Sequence, residues 1–245
     1  MLKVLALGQS NMSGRGSGGR SPLECDSRVE VWNNTNELGA DGTAFISPPD
    51  FGNSPWDANG GNNLALWFCH RAAQELQTDV RLVLVSKGGT TLAEWGPAGI
   101  MYTEASGVHS ASGLGPADVL LWHQGESDRP SSNGGTGIPP ADYKTNFLAM
   151  LSSLKNDGLL AANAPAIVGG LYLPTAGNID TALQELANEN DGVYYAGITD
   201  LKTSDGIHFA GASLYHLGFY RYWNQYRDRL GFPRISGDIG LVSTF

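Results

Sequence analysis

Apolar residues along this chain fall into two spacings. Residues 4–7, 29–32, 81–85, 119–122, 166–173 and 193–198 are short, nearly unbroken apolar runs rich in branched side chains, the signature of strands buried on both faces. Between them the period lengthens. Leu64, Phe68, Ala72 and Leu76 form one stripe behind a cap at Asn62 or Asn63, and Tyr143, Phe147, Met150 and Leu154 form another. Leu183, Leu186 and Ala187 follow behind Asp180, and a closing helix over 213–230 points Phe219, Trp223, Tyr226 and Leu230 at the core. Strands alternating with helices predict an α/β fold with a mostly parallel sheet covered on both faces, in a single domain over 1–245.

In such a sheet the ligand crevice lies beyond the carboxyl ends of the strands. Gln9-Ser10-Asn11, Lys87-Gly88-Gly89-Thr90 and His123-Gln124-Gly125-Glu126 each follow a predicted strand, and Asp205-Gly206-Ile207-His208 precedes the last helix. These four segments are expected to converge. Segments 33–61 and 96–116 show little pattern and are expected to be loops rimming the cleft, while 13–21 and 131–137 read as mobile glycine-serine loops. Trp56, Trp95 and Tyr102 fall in the rim segments, where they either stack on sugar rings or pack in the core.

Charge and cysteine content remove whole classes of function. A net charge of −9 repels a phosphate backbone, so nucleic acid is not expected as a partner. Two cysteines, Cys25 and Cys69, are too few for a disulfide scaffold and lack metal-site spacing, although they could pair if the fold brought them together. The first apolar run is too short for a signal peptide or a membrane span. A soluble protein is expected, its compartment open, with secretion or membership of a larger assembly both possible. The Asn-x-Ser/Thr triplets at Asn11 and Asn33 are read as chance, the first lying beside the candidate nucleophile. Gly14, Gly16 and Gly19 match a dinucleotide-binding string but arrive several residues after the strand and open no clear helix, so a flexible loop is expected there. His70 and His216 read as surface or packing histidines, and His109 lies in a loop. His123 adjoins the cleft segment, and no catalytic metal is expected.

A serine hydroxyl needs a base before it attacks, and histidine, with an unperturbed pKa near ~6.5, suits that task. His208 is the candidate base, Asp205 its orienting acid and Ser10 the nucleophile. Donors for a developing oxyanion are sought at the amides of Ser10, Gly89 and Gln124. Taken singly each signal is weak: a serine placed like Ser10 is more often a turn or cap residue than a nucleophile, Asp205 reads equally as a helix cap, and Gln124 and Glu126 could simply satisfy a strand end.

Four blocks in order are stronger. Gly8-Gln9-Ser10-Asn11-Met12, Gly88-Gly89-Thr90, Trp122-His123-Gln124-Gly125-Glu126 and Asp205-Gly206-Ile207-His208-Phe209 resemble the SGNH hydrolases. More narrowly they are similar to the sialate O-acetylesterase and acetylxylan-esterase-like group, carbohydrate esterase family six. The resemblance implies a flavodoxin-like three-layer α/β/α fold, no metal or organic cofactor, and removal of O-acetyl groups from a carbohydrate such as an acetylated polysaccharide or sialic acid. It implies Ser10, Asp205 and His208 as the triad, with Ser10, Gly89 and Gln124 at the oxyanion-hole positions. Where the wider superfamily has glycine then asparagine, this chain has Gln124-Gly125-Glu126, which leaves Glu126 open between orienting His208, supporting Gln124 and anchoring the loop. A non-catalytic carbohydrate-binding or structural module on the same fold is the alternative reading.

Overall fold

Alternation within the strands explains the layering. In a computed structural model, which describes residues 1–16, 25–33, 42–47 and 63–231, β1 (Leu2–Gly8) is buried on both faces. Leu2, Val4 and Ala6 enter one apolar cluster, and Leu5 and Leu7 enter the other. β4 (Val80–Ser86) divides the same way, with Leu82 and Leu84 on the first side and Val83 and Val85 on the second. Helices therefore cover both faces. On the first side lie α2 (Leu64–Leu76), α7 (Gly211–His216), a π-helical turn (Leu217–Tyr222) and α8 (Trp223–Arg229). On the second lie α3 (Leu92–Trp95), α4 (Ile100–Ser112), α5 (Pro140–Asn156) and α6 (Leu173–Glu189).

With β2 (Val29–Trp32), β3 (Phe45–Ile46), β5 (Val119–His123), β6 (Ala166–Gly169) and β7 (Val193–Ala196), the sheet has seven strands in the order β3-β2-β4-β1-β5-β6-β7. All neighbours are parallel except β2 and β3. This is the three-layer α/β/α fold with a mostly parallel sheet that the sequence predicts. β1 lies between β4 and β5, and the register aligns Gly8 with Ser86 on one side and His123 on the other. Three strands thus end level. Gln9, Lys87 and Gln124 are the next residues out of each, on one edge of the sheet.

Several expectations need correction. The segment 96–116 is not a rim loop: it contains α4, whose Met101, Ala105 and Val108 face the second cluster. Trp95 and Tyr102 are accordingly core residues. Trp95 meets the Trp122 ring edge-on, and the Tyr102 hydroxyl donates to Asp157 at 2.6 Å. Trp56, like most of 33–61, lies outside the described residues. Asp180 caps nothing at a helix start. It sits inside α6, which begins seven residues earlier and is kinked at Ala176, and its Oδ1 accepts the Leu171 N–H at 2.7 Å and the Tyr195 hydroxyl at 2.8 Å. Holding Leu171 this way ends β6 at Gly169, short of the predicted 173. Leu230 lies past the end of α8 and is 41% exposed, not in the core. His109 belongs to α4, where its Nε2 lies 3.0 Å from the Gly115 carbonyl. Cys25 and Cys69 are free thiols; burial pushes Cys25 up to about 12 and Cys69 well above the usual thiol value, so neither is primed to react. No helix among the described residues is long and apolar enough to cross a membrane.

Candidate active site

Gly8 is where β1 delivers the chain into the site. A Cβ there would sit 2.2 Å from the His123 carbonyl oxygen, so only glycine lets β1 and β5 run side by side to the end of the sheet. The Gln9 N–H donates to that same carbonyl at 3.0 Å, and the chain then turns into α1 (Ser10–Ser13), closed by Gly14. Gly14 thus ends a helix instead of opening one, which removes the dinucleotide reading of the glycine string. Every residue of α1 is buried, and Ser10 is 3% exposed. Asn11 is fully buried as well, so its triplet cannot carry a glycan.

The partner arrives from the far end of the chain. His208 Nε2 lies 2.9 Å from Ser10 Oγ, and His208 Nδ1 lies 2.6 Å from Asp205 Oδ2. With an ionised Asp205 accepting from Nδ1–H, Nε2 is left to accept the Ser10 hydroxyl proton. Asp205 also folds its own segment: Oδ1 accepts the N–H groups of Ile207 at 2.9 Å and His208 at 2.7 Å. Burial raises the Asp205 carboxyl, but the hydrogen bonds from His208 and Ile207 outweigh it and hold the group at about 2. It does not cap α7, whose cap is Ala210.

Asn11 binds the two halves together. Its Oδ1 accepts the Phe209 N–H at 2.9 Å, and its Nδ2 donates to the Ile207 carbonyl at 3.1 Å, so the residue beside Ser10 grips the chain on both sides of His208. Nδ2 also donates to Glu126 Oε1 at 2.5 Å. Of the three roles left open for Glu126, the geometry therefore matches the anchor. Its carboxylate is 2% exposed, makes no hydrogen bond to His208 or Gln124, and is raised by burial. His123 is fully buried and does not line the cleft; burial drives its pKa down to about 3, and its Nδ1 lies 3.1 Å from the Tyr222 hydroxyl.

Loops 87–92 and 124–128 are tied to each other. Thr90 Oγ1 accepts from the Trp95 indole at 2.9 Å and donates to the Lys87 carbonyl at 2.8 Å, bending the chain at Gly89, whose φ of +79° lies in the left-handed region that favours glycine. The N–H groups of Ser10 and Gly89 donate to no other group among the described residues. Gln124 differs from expectation. It is fully buried, and its Nε2 faces Asp128 Oδ2 at 2.6 Å, the Thr90 carbonyl at 2.9 Å and Gln9 Oε1 at 3.3 Å, which consumes both of its protons. Gln124 holds loops together and does not border the cavity.

That cavity, of about 550 Å³, is bordered by Gln9, Ser10, Gly89 and His208, with Arg15, Thr91, Ser127, Arg129, Ile207 and Gly134-Gly135-Thr136 around them. The segment 131–137, read as a mobile loop, is a bonded turn: Gly135 and Gly137 donate their N–H groups to the Pro130 and Arg129 carbonyls at 3.2 and 2.9 Å. Sequence reasoning gave Asn11 no role in the site, although it sits in the Gly8–Met12 block. Among the described residues no three His, Cys, Asp or Glu side chains cluster as a metal site requires. A hydroxyl hydrogen-bonded to an imidazole, an ionised acid behind it and two residues with uncommitted N–H groups bordering the same cavity are equipment for acyl transfer.

Comparisons with known proteins agree in fold. Residues 3–227 match the family model described as carbohydrate esterase, sialic acid-specific acetylesterase. A solved structure of a protein from Arabidopsis thaliana superposes with a TM-score of 0.72 at 21% identity, covering 92% of this chain and 98% of that one. NanS gives 0.65 at 14%, covering 94% and 96%. A carbohydrate acetylesterase from Xanthomonas citri gives 0.61 at 13%, covering 94% of this chain and 57% of that one. No curated protein sequence matches the chain.

Proposed function

The chain belongs to the carbohydrate esterase family of sialic acid-specific acetylesterases, and as a carbohydrate acetylesterase of that family we propose that it works through an acetyl-Ser10 intermediate. The observation that carries this reading is the chain of contacts at the cavity: Ser10 Oγ to His208 Nε2 at 2.9 Å, and His208 Nδ1 to Asp205 Oδ2 at 2.6 Å. Ser10 Oγ bonds to the acetyl carbon as its proton passes to His208 Nε2, and the carbonyl oxygen takes the negative charge towards the Ser10 and Gly89 N–H groups. The imidazolium then protonates the sugar oxygen, the ester bond breaks, and the deacetylated sugar leaves. Water attacks the acetyl-enzyme with its proton going to His208; acetate departs as Ser10 Oγ recovers that proton.

Arg15 and Arg129 border the cavity, and their positive charge favours an acetylated sugar that also carries an anionic group over a neutral one. Nothing in the site favours a binding module without catalysis. Hydrolysis of O-acetyl sialic acid, acetylated xylan and an aryl acetate by wild type and Ser10→Ala tests the reading. Wild type is expected to release acetate from all of them and fastest from the acidic sugar; Ser10→Ala should lose about 10⁴-fold or more in kcat. Unchanged aryl acetate turnover in Ser10→Ala would remove Ser10 as the nucleophile.

A further inference from the structure

We infer that Asp128 is a positioning residue for acyl transfer: its buried carboxyl holds the segment 87–92 so that Gly89 keeps its place at the cavity. The inference rests on the reading of Ser10 as nucleophile with the Gly89 N–H serving the oxyanion. Gly89 has little of its own to hold it. A Cβ built there would meet nothing within 4 Å, so no neighbour packs on that side of the turn. The near end of the segment is fixed by the sheet, because the Lys87 N–H donates to the Gly8 carbonyl at 3.0 Å. Past Gly89 the sheet has ended, and the chain enters α3, whose four residues are too few to be stable alone.

Asp128 secures that far end twice through one atom. Its Oδ2 accepts the Leu92 N–H at 2.8 Å, and it accepts from Gln124 Nε2 at 2.6 Å, which also donates to the Thr90 carbonyl at 2.9 Å. The ties fall one and three residues after Gly89. Oδ1 takes the hydroxyl of Thr136, on the cavity wall, at 3.4 Å. Burying a carboxyl costs stability that an apolar side chain of its size would not, and Asp128 is 2% exposed while standing outside the triad. Burial raises it, against the donors from Gln124 and Leu92. What an apolar group could not do is fasten two chain segments to one point. An oxyanion donor must be in place before charge develops, and a displacement of about 1 Å is enough to cost roughly 10²-fold in rate.

Three variants separate placement from charge and from stability. Asp128→Ala removes both ties, and with an aryl acetate its kcat is expected to fall about 10²-fold while KM changes by less than about threefold. Asp128→Glu keeps the charge but moves it by one methylene; a fall of about tenfold or more is expected, and this variant carries the test if Asp128→Ala does not fold. Asp128→Asn can keep its oxygen on Leu92 and Gln124 and its amide on Thr136, so it should recover most of the rate, to within about fivefold of wild type. Wild-type kcat in Asp128→Glu would overturn the inference, as would Asp128→Asn impaired as deeply as Asp128→Ala, or a loss carried by KM. A phosphonate ester reagent followed by mass spectrometry supplies the second readout, since its tetrahedral adduct presents a charged oxygen to the same donors. Labelling of Ser10 should slow in step with kcat across the variants; labelling at the wild-type rate in all three overturns the role of Asp128 alone, and label absent from Ser10 in wild type overturns the reading of Ser10 beneath it.

Discussion

Ser10 and His208 meet at hydrogen-bonding distance but are held by opposite means. Ser10 stands at the end of the middle strand, with β4 and β5 on either side and buried residues from Gln9 through Ser13. His208 rides on a surface segment whose Asp205 side chain is 53% exposed. That segment is pinned to the sheet's edge by Asn11, braced by a short bridge between Thr203 and Phe209 and by Thr175 Oγ1 on the Gly206 carbonyl at 3.1 Å. The nucleophile's position is thus a property of the whole sheet. The base's position depends on a few side chains, and damage to the pair should enter from the base's side.

Asp205→Asn tests this most severely. It removes the acceptor that orients His208 and keeps the turn's shape, so kcat is expected to fall about 10³- to 10⁴-fold with the melting temperature nearly unchanged. A fall below tenfold would mean that the exposed segment orients the imidazole without Asp205. Asn11→Ala comes next. Removing the grip strands the Phe209 N–H and the buried Glu126 carboxylate, a cost of roughly 1–3 kcal/mol in stability, and kcat is expected to drop by about 10²-fold as His208 loses its fixed place. Steady-state kinetics beside thermal melts check it; loss of stability with kcat intact would break the comparison.

Effects of pH are smaller and separable. Because Asp205 is held at about 2, below its unfolded value of 3.8, its contribution to stability is complete above about pH 4 and disappears as pH falls towards 2. Across pH 3–8 the kcat/KM profile is therefore expected to show no inflexion from Asp205 between about pH 3 and 5. His123 belongs to the sheet's side. Unfolded, it takes a proton near 6.5; folded, only near 3, so the unfolded state binds more protons between those values and stability falls as pH is lowered from 6.5 to 3. The slope should approach about 1.4 kcal/mol per pH unit mid-window, and chemical denaturation of His123→Gln, which does not titrate, should be flatter over that range.

How far the sequence can be read follows from the same contrast. β4 and β5 are visible to within a residue or two because most of each strand is buried on both faces, leaving apolar runs such as Leu82–Val85. α4 is hidden because its buried stripe is made of Met101, Tyr102, Ala105, Val108 and His109, with Gly107 among them and Ile100 exposed, so the spacing is present with few of the usual residues. The start of α6 is masked by Pro174 and Gly177 and by the kink at Ala176. At the site, residue order brings Ser10, Asp205 and His208 to attention. That Gln124 has no proton to spare is invisible, since it depends on the Thr90 carbonyl arriving from another loop as well as on Asp128 four residues on.

The bond between Ser10 and His208 spans 198 residues of sequence. On the ribosome Ser10 emerges first and stays an inert hydroxyl while nearly the whole sheet is synthesised. Asn11 can close on Phe209 only after β1 has β4 and β5 beside it and the 203–209 segment has been made. Such distant contacts form late and slowly. Appearance of esterase activity during refolding is thus a clock for the last long-range step, and should lag behind the recovery of helix and strand signals.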